Sequence, residues 1–307
     1  MMGSFGRRLK SKASVLLKNP YINALRGTPL PDVTGENAQI AIARAIKMGG
    51  QLVARVGATE GETVAFYLSK RIAKSGPVPP YPDRLLRDMK VLSGFFPCTN
   101  ETLDQVSIQY LSCIETIDVY AAWTSYDRHL CPRGALRCRL IDLDPFFTAN
   151  RWTLALKGLR VTVVSPFKTT ILAQYPNRAQ LFAQPTMPDF SLSVVEAAQT
   201  HCAQDVGQQS WYENLSKMHT AVAQSKPEVV IIGAGAYGLP LASMAKAHGA
   251  TAVMLGGATQ LLFGIIGSRW LNDPQYRALF NEYWRRPSEE ERPAGYQTLE
   301  ISGGAYW

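Results

Sequence analysis

Residues 228–257, EVVIIGAGAYGLPLASMAKAHGATAVMLGG, constrain the fold more than any other stretch. An apolar run at 229–232 has the length of a buried strand. Gly233, Gly235 and Gly238 form a glycine-rich turn, and residues 239–248 have a helical pattern stopped by Gly249. A second apolar run at 251–255 closes the unit. Strand, turn, helix and strand in that order require a parallel pair joined by a crossover. Strands that are apolar throughout belong in a sheet covered on both faces.

The turn reads G-x-G-x-x-G, the spacing that lets backbone approach a phosphate at a helix start. A dinucleotide site needs in addition an acid about 20 residues on, to hold a ribose diol. Here the second strand ends Met254-Leu255-Gly256-Gly257, with no acid. The unit also lies late in the chain. NAD is therefore not expected, and the turn is assigned to a different phosphate-bearing ligand, with Gly233, Gly235 and Gly238 as binding residues. A purely structural turn is the alternative.

The same grammar recurs upstream. Residues 51–57, QLVARVG, read as a strand that hands over at Ala58-Thr59-Glu60 to a helix. Ligands of α/β folds collect at such strand-to-helix turns. Arg55 at the strand end suits bidentate pairing with phosphate. Glu60 suits metal ligation or proton abstraction, or serves as an ordinary first-turn acid. Thr59 and Glu62 have capping-box spacing. Residues 159–167 form a third strand, ended by Ser165-Pro166, where Ser165 is placed to cap the next helix and to donate to a ligand. Residues 117–123 and 191–197 are strand-like. Residues 124–139 are expected to be irregular, with Asp127, Arg128 and His129 on a surface loop. Ser210 and Glu213 form a further capping box. His219 lies beside that helix's apolar stripe and is expected to pack.

Strands alternating with helices over 307 residues, 46% of them hydrophobic, imply a Rossmann-like parallel α/β sheet flanked by helices in a single large domain. The five cysteines contain no C-x-x-C pair and the four histidines are far apart, so neither a disulfide framework nor a metal cluster is expected. The net charge is +8, but residues 1–31 hold six cations and no acid, which leaves about +2 for the rest and no basic concentration for nucleic acid. Phe5, Leu9, Ala13, Leu16 and Leu17 share one helical side among those cations. Residues 1–34 are thus expected to be a basic segment able to lie on an anionic membrane surface, or else a basic tail or arm. Residues 35–307 form the folded domain. No apolar run has the roughly 18 residues of a membrane span and no secretory signal is visible, so a cytoplasmic location, peripheral at the inner membrane face, is expected.

Several stretches together resemble bacterial polysaccharide-biosynthesis proteins of the GT-D glycosyltransferase type. Arg55-Val56-Gly57-Ala58-Thr59-Glu60 is similar to that family's R-x-G-D-G-E turn. Further likeness lies in Trp152 through Gly158 with the strand ending Ser165-Pro166-Phe167, in Gly233-Ala234-Gly235-Ala236-Tyr237-Gly238, and in Leu255-Gly256-Gly257-Ala258-Thr259-Gln260 with the closing Gly303-Gly304-Ala305-Tyr306-Trp307. The resemblance implies transfer of a sugar from a nucleotide-diphosphate sugar, a UDP-sugar for preference, to a hydroxyl of a lipid-linked or growing surface glycan. It implies Glu60 as catalytic residue and as ligand of Mn²⁺ or Mg²⁺. Arg55, Gly57, Thr59, Ser165, Phe167, Gly233, Gly235, Ala236, Tyr237, Gly238 and Gly257 become substrate-binding residues. The family's metal-binding turn carries Asp-x-Glu, and here Ala58 stands in place of the Asp. A non-catalytic member of a polysaccharide-assembly complex and a nucleotide-cofactor oxidoreductase are the other two readings.

Overall fold

In the computed structural model, residues 27–72, 78–200, 210–293 and 306–307 are described. The basic segment's amphipathic stripe and all six of its cations fall outside them. Seven strands form one sheet in which every pairing is parallel. They are β1 (Leu52–Ala54), β2 (Val119–Ala122), β3 (Leu136–Arg139), β4 (Arg160–Ser165), β5 (Ser191–Glu196), β6 (Val229–Ile232) and β7 (Thr251–Met254), in the spatial order β3-β2-β1-β7-β6-β4-β5. The fold is the expected Rossmann-like α/β arrangement.

Strand side chains alternate between two cores, as the two-residue period of a pleated strand requires. Leu52, Tyr120, Val230 and Ala252 point to one face. Val53, Val119, Ile231 and Val253 point to the other. Helices α1 (Gly35–Met48), α2 (Ala58–Ile72), α3 (Asp83–Val91), α4 (Asn100–Ile114), α5 (Asp127–Leu130), α6 (Lys168–Gln174), α7 (Trp211–Gln224), α8 (Gly238–Ala247), α9 (Ala258–Leu262) and α10 (Pro274–Arg277) connect and cover the strands. Among the described residues, no helix is long and apolar enough to cross a membrane.

Some local expectations change. The stretch 124–139 contains α5 and strand β3, because four residues of mixed polarity suffice to pair with β2 at the sheet edge. Asp127 is buried: its carboxylate accepts from the backbone N–H of Trp123 and Thr124 and from the Tyr120 hydroxyl. Glu62 pairs with Arg84, so its carboxylate serves an inter-helix ion pair. Ser165 is fully in β4, and its Oγ accepts from the Phe167 N–H at 3.3 Å, one turn before α6, whose cap position is Phe167. The Ser210–Glu213 capping box forms as expected. His219 stacks on His248, ring centroids 5.1 Å apart.

The sheet order places the site. From β4 the chain moves outward to β5, whereas from β6 it moves inward to β7, so adjacent strands β4 and β6 send their connections in opposite directions. Their turns part at the carboxyl ends and leave a crevice there.

Candidate functional site in the crevice at the strand ends

A cavity of about 200 Å³ lies over the carboxyl ends of the central strands. Arg55, Gly57, Ala58, Thr59 and Glu60 enter it after β1, Ser165 to Phe167 from β4, Gly233 to Gly235 after β6, and Gly256, Gly257, Thr259 and Gln260 after β7. These four stretches converge because parallel strands all deliver their turns to the same edge.

Two cations and one acid face this space among the described residues: Arg55, Arg269 and Glu60. The Arg55 guanidinium lies over the Trp123 ring, 5.4 Å from its centroid, and forms no ion pair with any described residue. Trp123 is itself held by its Nε1–H to the Val56 carbonyl at 2.8 Å and by its backbone N–H to Asp127. Arg269 stacks between the Trp270 and Tyr306 rings at 5.3 and 5.2 Å, and donates to the Tyr306 hydroxyl at 3.0 Å. It too lacks a carboxylate partner among the described residues. Two guanidiniums facing one cleft, with no acid partner among the described residues, have the donor pattern that pairs with anions carrying several oxygens.

Glu60 is only 8% exposed. Its carboxylate folds back over Gly57 so closely that a Cβ on that glycine would overlap it. Glycine at 57 is what allows this return, and it leaves the carboxylate at the start of the 15-residue helix α2. Tyr110 packs nearby; burial pushes its phenol well up, the Glu60 charge adds to that, and its hydroxyl donates to the Ala236 carbonyl at 2.6 Å.

Behind Arg55 sits Asp144, 7% exposed, accepting the Tyr276 hydroxyl at 2.5 Å. Burial pushes its carboxyl up to about 7, against the lowering pull of Tyr276 and of the Arg55 charge. Nothing local in the sequence marks Trp123 and Arg269, which reach the site from the segments after β2 and β7, or Asp144, which does not line the cavity.

Not every expected residue faces the cavity. Ala236, Tyr237 and Gly238 lie behind it. The Ala236 N–H donates to the Ser93 carbonyl at 3.1 Å, so it is not held out to a ligand. Tyr237 stacks on Trp211 with centroids 4.7 Å apart, and a Cβ at Gly238 would meet Met254 Cε at 2.7 Å. The last half of the glycine-rich turn is therefore packing, and Gly233 to Gly235 alone present backbone to the crevice. At Gly233 a Cβ would meet the Gly256 carbonyl at 2.6 Å and Thr259 Oγ1 at 2.8 Å, so its lack of a side chain lets the turns after β6 and β7 close together.

For a divalent cation the donor set is lean. No group of three or more His, Cys, Asp or Glu side chains is placed to hold a metal among the described residues. Mn²⁺ or Mg²⁺ at Glu60 would take one protein carboxylate and draw its other ligands from water and from phosphate oxygens of a ligand, a mode that magnesium sites use.

Fold and crevice define the chain as a doubly wound parallel α/β protein with a cationic cleft at its strand ends. No protein-family model matches the chain, and no curated protein sequence matches it. Among solved structures, the selenomethionine-substituted structure of domain of unknown function 1792 (DUF1792) superposes with a TM-score of 0.44 at 9% identity, covering 88% of this chain and 95% of that one. A superposition this loose leaves function to be read from the cleft itself.

Proposed function

We propose that the protein is a glycosyltransferase that moves a sugar from a nucleotide-diphosphate sugar to a hydroxyl of a lipid-linked or growing surface glycan. The observation that carries this reading is the pair of guanidiniums, Arg55 and Arg269, that face one cleft with the buried carboxylate of Glu60 and have no acid partner among the described residues. Arg55 and Arg269 bind the diphosphate and offset the charge that builds on it as the bond between sugar and phosphate lengthens. Glu60 accepts the proton of the attacking hydroxyl. The acceptor oxygen bonds to the anomeric carbon, and the nucleoside diphosphate leaves with the electron pair of the broken C–O bond. In the alternative role, in which Glu60 holds a divalent cation instead of taking the proton, that ion would supply further positive charge on the diphosphate.

Trp123, 37% exposed at the Arg55 side of the cleft, offers a flat face for a sugar ring. The proposal extends to an anionic membrane surface as the place of work, reached through the cations of residues 1–26. A nicotinamide or flavin enzyme has less support, since Gly238 packs on Met254 and Glu60 is the one acid among the described residues at the cleft.

Glu60→Gln is the direct test. It keeps the shape and removes the base, so turnover of a nucleotide sugar should fall by about 10²- to 10⁴-fold. Affinity for the nucleoside diphosphate should stay within a few-fold. Turnover near wild type in the folded variant would remove Glu60 from the chemistry.

A further inference from the structure

Three residues that line the cleft each carry a buried oxygen with no hydrogen-bond partner: Gln199 Oε1, Thr259 Oγ1 and Gln260 Oε1. Thr259 and Gln260 are each 1% exposed. A buried polar atom left unpaired costs free energy, and native proteins rarely leave several together. The two amides cannot cure this by flipping. Gln260 Nε2 donates to the carbonyls of Ile265 at 3.3 Å and Tyr306 at 3.4 Å. Gln199 Nε2 donates to the Glu291 carbonyl at 2.8 Å, which also accepts Trp307 Nε1–H at 3.2 Å. Backbone carbonyls therefore hold each NH₂ group in place and turn each oxygen away from them. An amide oxygen only accepts, so what both glutamines lack is a donor.

Anion recognition needs donors, and Arg55 and Arg269 supply them. Acceptors in the same cleft serve a different part of the ligand. Aromatic rings stand beside them: Phe167 and Trp307 meet edge to face at 6.1 Å, and Trp270 and Tyr306 at 6.4 Å. Hydroxyl donors on a ring with apolar C–H faces match this combination of fixed acceptors and aromatic walls.

We propose that Gln199, Thr259 and Gln260 form an acceptor face that selects the ligand by its ring hydroxyls, and so set specificity for a sugar. The inference rests on the reading of the cleft as a nucleotide-sugar site. The three oxygens are closed to water in this structure. Ribose and the transferred sugar both carry such hydroxyls, and the experiment separates them.

The test is calorimetric titration of the full chain with pyrophosphate, UDP, GDP, UDP-glucose and GDP-mannose, and with deoxyfluoro analogues. In one arm fluorine replaces the 2′- or 3′-hydroxyl of the ribose; in the other it replaces single hydroxyls of the hexose. Fluorine keeps the size of a hydroxyl and cannot donate. At one or more positions the analogue should bind about tenfold more weakly than its parent, the loss of one hydrogen bond. The arm in which this occurs names the ring. In Gln199→Met or Gln260→Met that ratio should fall towards one, whereas pyrophosphate affinity should not change. If pyrophosphate and a nucleotide bind but every analogue matches its parent within twofold, the acceptor face is wrong. A ratio unchanged in both methionine variants would also overturn it. The wild-type series decides the question even if a variant fails to fold. Absence of binding by pyrophosphate and by every nucleotide would overturn the parent reading, and this inference with it.

Discussion

At the scale of single residues, Arg55 is where the charges of the site meet. It lies over Trp123, and its charge is felt at Asp144, the buried acid whose carboxyl is pushed up to about 7. An acid whose folded pKa exceeds its unfolded value of about 4 holds its proton more tightly when folded. Its stabilising contribution is therefore complete below about pH 4 and is lost as pH rises through about 7. Asp144→Asn is neutral throughout and keeps an acceptor for Tyr276. Thermal melts between pH 4 and pH 8 should show a flatter decline for this variant, and an unchanged slope would mean that Asp144 ionises normally. Ala58 is exposed at the start of α2 and lines the same cleft as Glu60. Ala58→Asp adds a second carboxylate there, so Mn²⁺ should stabilise the variant with UDP more than it stabilises wild type. Equal responses to the ion would show that the two carboxylates do not converge on one cation.

At the scale of elements, the turns after β1 and β7 are fitted to each other. Gly256 has φ of +62°, and a Cβ there would overlap the Arg55 guanidinium. Gly256→Ala should cost about 1 kcal/mol in stability through the left-handed backbone. It should also weaken pyrophosphate binding by displacing Arg55, and a titration with intact affinity would separate Arg55 from the anion site. This fit also shows how far sequence reading reaches. The unit around β6, α8 and β7 was legible because apolar runs and glycines are local signals. So was the strand that delivers Arg55 and Glu60. Tyr237 and Gly238 looked like ligand contacts because G-x-G-x-x-G spacing does not reveal which glycine faces a ligand and which faces a neighbour. Here Trp211 and Met254 take up that half of the turn. Strand β3 was hidden in a polar stretch, since an edge strand needs only one partner and little apolar burial. Gln199 gave no signal and Gln260 appeared only as part of a resembling stretch, because an unpaired amide oxygen becomes visible only once its NH₂ group is seen to be committed elsewhere.

For the whole molecule, the order of the strands explains why the site exists. Turns that follow β1, β4, β6 and β7 are drawn from a stretch running from residue 55 to residue 260, and the parallel sheet brings them to one edge. Divergence of the connections from β4 and β6 opens the crevice, and Arg55 and Arg269 give it a positive bias that the remaining net charge of the body does not. The central claim is that this crevice holds the diphosphate of a nucleotide through those two guanidiniums. The most direct test is thermal unfolding of the wild type and of Arg55→Gln with UDP, GDP, CMP, UDP-sugars, GDP-sugars and NAD, each with and without Mn²⁺ or Mg²⁺. A ligand that prefers the folded state raises its stability by mass action, by about 2.7 kcal/mol at a hundredfold excess over Kd. The account predicts a rise in Tm with one nucleoside diphosphate and its sugar conjugate, largely lost in Arg55→Gln. A rise with NAD alone, or a nucleotide response that Arg55→Gln leaves intact, would contradict it.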